Sequence, residues 1–259
     1  MFVIIFITGS MFVSNVFGMK KARAKKAVRQ TTITLVQGDI TRQEFDNPKF
    51  SAIVNAANEQ LIGGAGVAAA IQNAGGPELM AALRAIETEV VNGIRVRCKV
   101  GGTALTKSFA MLQRNNNTRV DWIIHAVGPD LTGRINRSWP VEFQQTRKKK
   151  ILRMVYRNIL ARARATGITN IAFPSISTNI FGYNINQATP VAIQTVLGFI
   201  AEHDDFEEIR FVVLGREAYD CYRNVLDRLV ARGELEEQRD EKNPAGRNAY
   251  RKRTYNIVA

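Results

Sequence analysis

Four stretches of this chain place chemically capable residues where a strand gives way to a loop. The richest is Val54-Asn-Ala-Ala-Asn-Glu-Gln-Leu-Ile-Gly-Gly-Ala-Gly-Val67, which leaves an apolar run, passes through small residues and opens a helical pattern. A loop of this composition lets a pyrophosphate approach backbone N–H groups at a helix N-terminus, where the partial positive charge favours an anion. Gly64, Gly66 and Ala69 also fit the G-x-G-x-x-G/A dinucleotide pattern. A dinucleotide-binding turn is tight, however, whereas here a long loop separates Val54 from Gly64. Nor does an acidic residue close a second strand some way on, since Glu87 and Glu89 fall within a helical pattern. A ligand-free Gly-rich connector remains the plain alternative.

The second stretch, Phe173-Pro-Ser-Ile-Ser-Thr-Asn-Ile-Phe-Gly-Tyr183, again runs from strand through loop to helix and gathers hydroxyls, backbone amides and aromatic rings. Such a loop can close over phosphates while Phe181 covers a sugar face, although ordinary core packing would equally account for Phe181 and Tyr183. Two phosphate-friendly loops after two different strands suggest one diphosphate held from both sides. The third stretch, Gln37-Gly-Asp-Ile40, carries a carboxylate that can accept a hydrogen bond from an exocyclic amine or simply cap a turn. The fourth, Ile123-Ile-His-Ala-Val-Gly-Pro129, sets a histidine inside an apolar strand, where a satisfied core histidine is the ordinary outcome.

The elements that must position these loops follow from hydrophobic patterning. Thr32–Val36, Ala52–Val54, Arg95–Lys99, Trp122–Ala126, Asn170–Phe173 and Ile209–Leu214 read as strands, several apolar on both faces. Val67–Ala74, Pro77–Val90, Val141–Ala165, Asn186–His203 and Glu217–Ala231 read as helices. Buried strands alternating with helices predict an α/β fold, three-layer α/β/α with a mostly parallel central sheet, whose ligands sit at the carboxyl ends of the strands.

The 259 residues include 36 Lys and Arg against 23 Asp and Glu, a formal charge of +13 that draws the protein towards polyanions. Cys98, Cys221, His125 and His203 are too scattered for a metal site, so neither metal nor cofactor is expected, and both thiols read as reduced. Residues 1–30 are expected to stand outside the fold: an apolar run, Met1 to Gly18, then the basic residues Lys20, Lys21, Arg23, Lys25, Lys26 and Arg29. That order of charge reverses a secretory signal. The run reads as an organellar presequence, a weak anchor or signal, or sequence upstream of a true start at Met19. The compartment is therefore open between cytoplasm, nucleus and mitochondrion. Residues 31–231 are expected to form one domain, with the charged segment 232–259 solvated or disordered.

Taken together and in order, QGDI, IVNAAN with LIGGAGV, IIHAVGP and AFPSISTNIFGY resemble the macrodomain family over about Thr31 to Leu229. The resemblance implies a macro fold, ADP-ribose or an ADP-ribosylated protein as partner, and, in many members, removal of ADP-ribose from proteins or of acetyl from O-acetyl-ADP-ribose. Carried over by position, Asp39 would receive the adenine amino group with Ile40 beside the base. Asn58 would face the distal ribose as the catalytic residue, and Asn55 would support the loop. Gly64, Gly66 and Val67 would form the first phosphate loop, and Ser177, Thr178, Asn179, Ile180 and Phe181 the second.

Two positions depart from the family pattern. Ala68 stands where the hydrolytic branch has an Asp that helps activate water, which leaves positioned water and the substrate's own phosphate as base, or else a non-catalytic reader of ADP-ribosylated proteins. Asn179 stands where Gly is usual, and Asn is the residue that next best tolerates a left-handed backbone. The protein is expected to be a monomer, with weak nucleic-acid or poly-ADP-ribose contact through its basic segments, Lys20 to Arg29 and Arg147 to Lys150.

Overall fold

The computed structural model describes residues 31–45, 50–113, 120–132, 141–238 and 251–258. The expectations for residues 1–30 lie outside these. In chain order the strands are β1 (Thr32–Gln37), β2 (Ser51–Ala57), β3 (Glu89–Val91), β4 (Ile94–Val96), β5 (Thr103–Lys107), β6 (Trp122–Val127), β7 (Asn170–Phe173), β8 (Glu208–Val213), β9 (Leu235–Gln238) and β10 (Lys252–Ile257). The helices are α1 (Val67–Ala85), α2 (Ala110–Gln113), α3 (Val141–Thr166), α4 (Ile185–Glu202) and α5 (Arg216–Ala231).

Among the described residues one sheet of eight strands runs in the order β5-β6-β2-β7-β8-β1-β10-β9. The five strands from β6 to β1 are mutually parallel, and the pairings at both margins are antiparallel. A parallel sheet must be covered on both faces, and the alternation of side chains shows how this one is. Ala52 and Val54 of β2 and Ile124 and Ala126 of β6 enter one core, together with Leu152, Tyr156 and Ile159 of α3, Ile193 and Val196 of α4 and Leu226 of α5. Their neighbours Ile53 and Ile123 enter the opposite core, with Ile71, Leu79 and Leu83 of α1. The fold is thus the three-layer α/β/α arrangement read from the patterning. Helices α3 to α5 begin and end within a residue of their expected bounds, because apolar residues at helical spacing meet a flat apolar sheet.

Three differences from the sequence reading have local causes. The two helices expected around Gly75-Gly76-Pro77 are present, but they follow one another without a loop as the single span α1, broken at Gly76. Gly76 takes φ 75° and ψ −168° there, and the second part stops at Ala85 rather than at Val90. The strand expected at Arg95–Lys99 is confined to Ile94–Val96 and pairs only with β3 in a separate hairpin. Asn92 and Gly93, both at positive φ, make its tight turn, a signal present in the sequence as Asn-Gly between β-formers.

The third difference is the carboxyl-terminal segment expected to be solvated or disordered. Two parts of it are strands of the main sheet: β10 pairs with β1 and β9 with β10. One charge that reads as solvated in the sequence, Arg253, is paired. Arg253 meets Asp227 at 2.8 Å and Glu237 at 3.1 Å, while Tyr255, two residues on and on the same face of the strand, is fully buried.

Candidate functional site

Strands β2 and β7 are neighbours, yet the helices that follow them cover opposite faces, α1 on one and α4 on the other. The two exit loops therefore part above the sheet and leave a crevice at the carboxyl ends of the strands, where open α/β sheets bind ligands. The cleft is open to solvent, and the space within it, solvent included, is about 720 Å³. Its walls are Ala56, Ala57 and Asn58, Gly64 to Ala68, Gly128, Ser175 to Ser177, and Asn179 to Phe181.

The first loop is braced from behind. Glu59 O accepts the N–H groups of Arg97 and Cys98 at 2.9 and 3.1 Å, and the Gln72 amide bonds both Gly63 N–H and Gly63 O at 3.2 and 3.1 Å. Asn58 accepts the Gln60 N–H through Oδ1 at 3.0 Å and donates one Nδ2 hydrogen to Ile62 O at 3.3 Å. The amide carries a second Nδ2 hydrogen, and it belongs to a side chain that lines the cleft. Helix α1 then opens on Gly66, whose φ of 61° and ψ of −130° suit glycine alone. Its ladder begins with Ala70 N–H on Gly66 O at 3.0 Å, and no side chain caps the N–H groups ahead of it. An uncapped helix N-terminus thus faces the cleft with its partial positive charge.

The second loop is folded on itself. Tyr183 N–H bonds Ser177 O and Gly182 N–H bonds Asn179 O, each at 2.9 Å, while Leu131 N–H reaches Phe181 O at 2.8 Å. Among the described residues these bonds leave the N–H groups of Asn179, Ile180 and Phe181 without a partner. The residue in the left-handed region is Ser177, at φ 64°; Asn179 is not in that region. Ser177 is only 6% exposed, and its Oγ has no partner among the described residues. It fits because β6 is followed by Gly128, where any Cβ would collide with Ser177 Oγ and Ile176 Cγ2. Gly128 was within the IIHAVGP stretch, but no local signal linked it to a serine far along the chain.

Of the sequence-predicted residues, Asn58, Gly64, Gly66, Val67, Ser177, Asn179, Ile180 and Phe181 come together in the cleft. Tyr183 is instead a core residue. Thr178 turns its Oγ1 to Ser175 O at 3.1 Å and is not part of the wall. Asp39 and Ile40 stand apart, at the carboxyl end of β1. Asp39 Oδ1 accepts the Thr41 N–H and Oγ1–H, each at 2.8 Å, capping a short 3-10 turn, and Ile40 is buried in the core. β1 lies three places from β2 along the same sheet edge, about 14 Å at ordinary strand spacing. The cleft residues not singled out as ligand contacts from sequence are Ala56, Ala57, Ala65, Ala68, Gly128, Ser175 and Ile176, all small or apolar but for the Ser175 hydroxyl.

The electrostatics follow from this lining, which includes no Asp, Glu, His, Cys, Lys or Arg side chain. The cleft offers N–H groups, the two side-chain amides of Asn58 and Asn179 and the unpartnered hydroxyl of Ser177. His125 lies beneath it, fully buried, where Asn55 Nδ2 donates to Nδ1 at 3.0 Å and Nε2 meets Thr106 Oγ1 at 2.9 Å. This pairing selects the neutral Nε2–H tautomer, and burial pushes the pKa down to about 4. His125 is a satisfied core histidine. Burial also pushes the Cys98 thiol up to about 11, which removes it as a nucleophile at neutral pH.

A family model described as Macro domain matches residues 54–192. A macro domain-containing protein of Streptomyces griseus is 36% identical over 194 residues, covering 75% of this chain and 94% of that protein. An O-acetyl-ADP-ribose deacetylase of Pantoea vagans is 33% identical over 196 residues, 75% of this chain and 98% of its own. Among solved structures, the Oceanobacillus iheyensis macrodomain with ADP superposes with a TM-score of 0.64 at 31% identity, covering 79% of this chain and 95% of that one. The Trypanosoma brucei macrodomain in complex with ADP-ribose gives 0.58 at 27%, covering 75% and 68%.

Proposed function

The chain belongs to the macro domain family, and on that premise we propose that its cleft binds ADP-ribose and hydrolyses ADP-ribose esters. The esters are an ADP-ribosyl group on a protein carboxylate or the acetyl group of O-acetyl-ADP-ribose. The observation that carries this reading is the convergence of two sets of unpaired backbone N–H groups, one at the start of α1 and one at residues 179–181, on a cleft without charged side chains. Such a site suits a diphosphate, whose charge the N–H dipoles and the helix terminus match without a competing cation. The relatives named O-acetyl-ADP-ribose deacetylase and the neighbours holding ADP or ADP-ribose support it.

In this reading the diphosphate lies between Gly64, Gly66 and Val67 on one side and Ser177 to Phe181 on the other, with the Ser177 hydroxyl as a further donor. The adenine reaches towards Asp39 and Ile40 along the sheet edge. The distal ribose meets the remaining Nδ2 hydrogen of Asn58. Asn58 and the loop backbone hold a water against the ribosyl or acyl carbon. With Ala68 in place of a carboxylate and no titratable side chain in the wall, the proton leaves towards the substrate's own phosphate. Rate enhancement then comes from orientation and from N–H dipoles fixed in advance rather than from a protein base.

The same absence of a base favours a second reading, a non-catalytic reader of ADP-ribosylated proteins. Incubating the protein with a substrate mono-ADP-ribosylated on acidic side chains separates the two. Release of ADP-ribose that falls on the order of 10²-fold in Asn58→Ala, with affinity little changed, is the hydrolase result. Retention of the modified protein without release is the reader result.

A further inference from the structure

Helix α3 is longer than the sheet it covers. Its 26 residues span about 39 Å at 1.5 Å per residue, against about 20 Å for the six-residue strand β6 that precedes it. Its last residue leads through a short turn into β7, so the surplus length stands at the opposite end, the end of the cleft. Lys148 marks the meeting point, with Nζ 5.9 Å from the ring of Tyr183 at the close of the second loop.

The charge on this helix is unevenly compensated. In the carboxyl-terminal half Arg157 pairs with Glu202 at 3.3 Å and Arg164 with Asp205. In the amino-terminal half Lys149, Lys150 and Arg153 are exposed and pair with no carboxylate among the described residues. A helix that pairs two of the three arginines at its far end with carboxylates, and leaves Lys149, Lys150 and Arg153 uncompensated beside a ligand cleft, is arranged for an anion that comes from solution.

We propose that the amino-terminal half of α3 is a nucleic-acid-binding ridge, with Lys149, Lys150 and Arg153 as phosphate contacts. The spacing favours a nucleic-acid strand over other polyanions. Lys149 and Arg153 are four residues apart, about 6 Å along the axis, so three positive charges meet a length of strand that carries a phosphate at every nucleotide. Poly-ADP-ribose presents a diphosphate followed by a long uncharged stretch of riboses and base. No aromatic residue interleaves the three, so the ridge holds backbone and does not select sequence. This inference does not depend on what occupies the cleft.

The test uses the full chain and a fluorescent single-stranded DNA of about 20 nucleotides, titrated across a range of salt concentrations. The triple variant K149Q/K150Q/R153Q is expected to bind at least tenfold more weakly at low salt and to lose about 2 from the slope of log K against log salt. A double variant, R157Q/R164Q, removes two charges already paired and is expected to bind within about threefold of the parent. Equal affinity of triple variant and parent would overturn the proposal, as would an equal loss in both variants, which would reduce the ridge to overall charge. Binding of poly-ADP-ribose through the three residues without binding of DNA would also overturn it. Thermal unfolding of each variant confirms that the fold is kept, and a parallel ADP-ribose titration reports on the cleft separately.

Discussion

His125 should make this protein acid-sensitive well above the carboxylate range. Its folded pKa of about 4 lies below the ordinary 6.5, so the unfolded chain binds a proton that the folded protein refuses. Stability from this residue is complete above pH 6.5 and is lost as pH falls towards 4, because there the unfolded state holds more protons. At 1.36 kcal/mol per pK unit the full difference is about 3 kcal/mol, and about 2 kcal/mol should already be lost by about pH 5. For a domain of ordinary stability this is a large fraction. Urea unfolding between about pH 7.5 and pH 5 should show that loss in the parent. His125→Gln removes the titrating group. It should be less stable at neutral pH by about 1 to 3 kcal/mol, since Asn55 and Thr106 lose their shared partner, but flatter with pH. Equal pH slopes in parent and variant, or an NMR titration of His125 near 6.5, would refute the account.

Gly128→Ala drives a methyl group into Ser177 and Ile176, and displacing the second loop should cost about 1 to 3 kcal/mol. Calorimetric titration should show ADP-ribose binding weaker by about tenfold or more; unchanged affinity would detach this contact from the site. Asn179→Gly should leave ADP-ribose affinity within about threefold, because Asn179 is exposed and does not need the left-handed backbone. A tenfold loss would show that its side chain makes the contact. Tyr255→Ala empties a fully buried position in β10 and should destabilise by about 3 to 5 kcal/mol in chemical unfolding, while a loss below about 1 kcal/mol would mean that the carboxyl-terminal strands contribute little to the sheet.

The sequence by itself determined the layers, most of the helix ends and both loops of the cleft. Buried parallel strands are apolar on both faces, and the loops announce themselves because phosphate-sized approaches to backbone require Gly, Ser and Asn just past a strand. The edge strands escaped it. β5 is short and half-exposed, and β9 and β10 carry charges whose partners on α5 and across the sheet exist only once the chain is folded. Tertiary structure alone decided the fate of His125. The register that sets Asn55 opposite it, and the neighbouring strand that brings Thr106, turn a possible base into a neutral buried ring. It also decided that Ser177 rather than Asn179 takes the left-handed turn. That choice depends on Gly128, distant in sequence, whose missing side chain leaves room for Ser177 and Ile176. Local composition sets which backbone shapes are cheap, and only long-range packing selects among them.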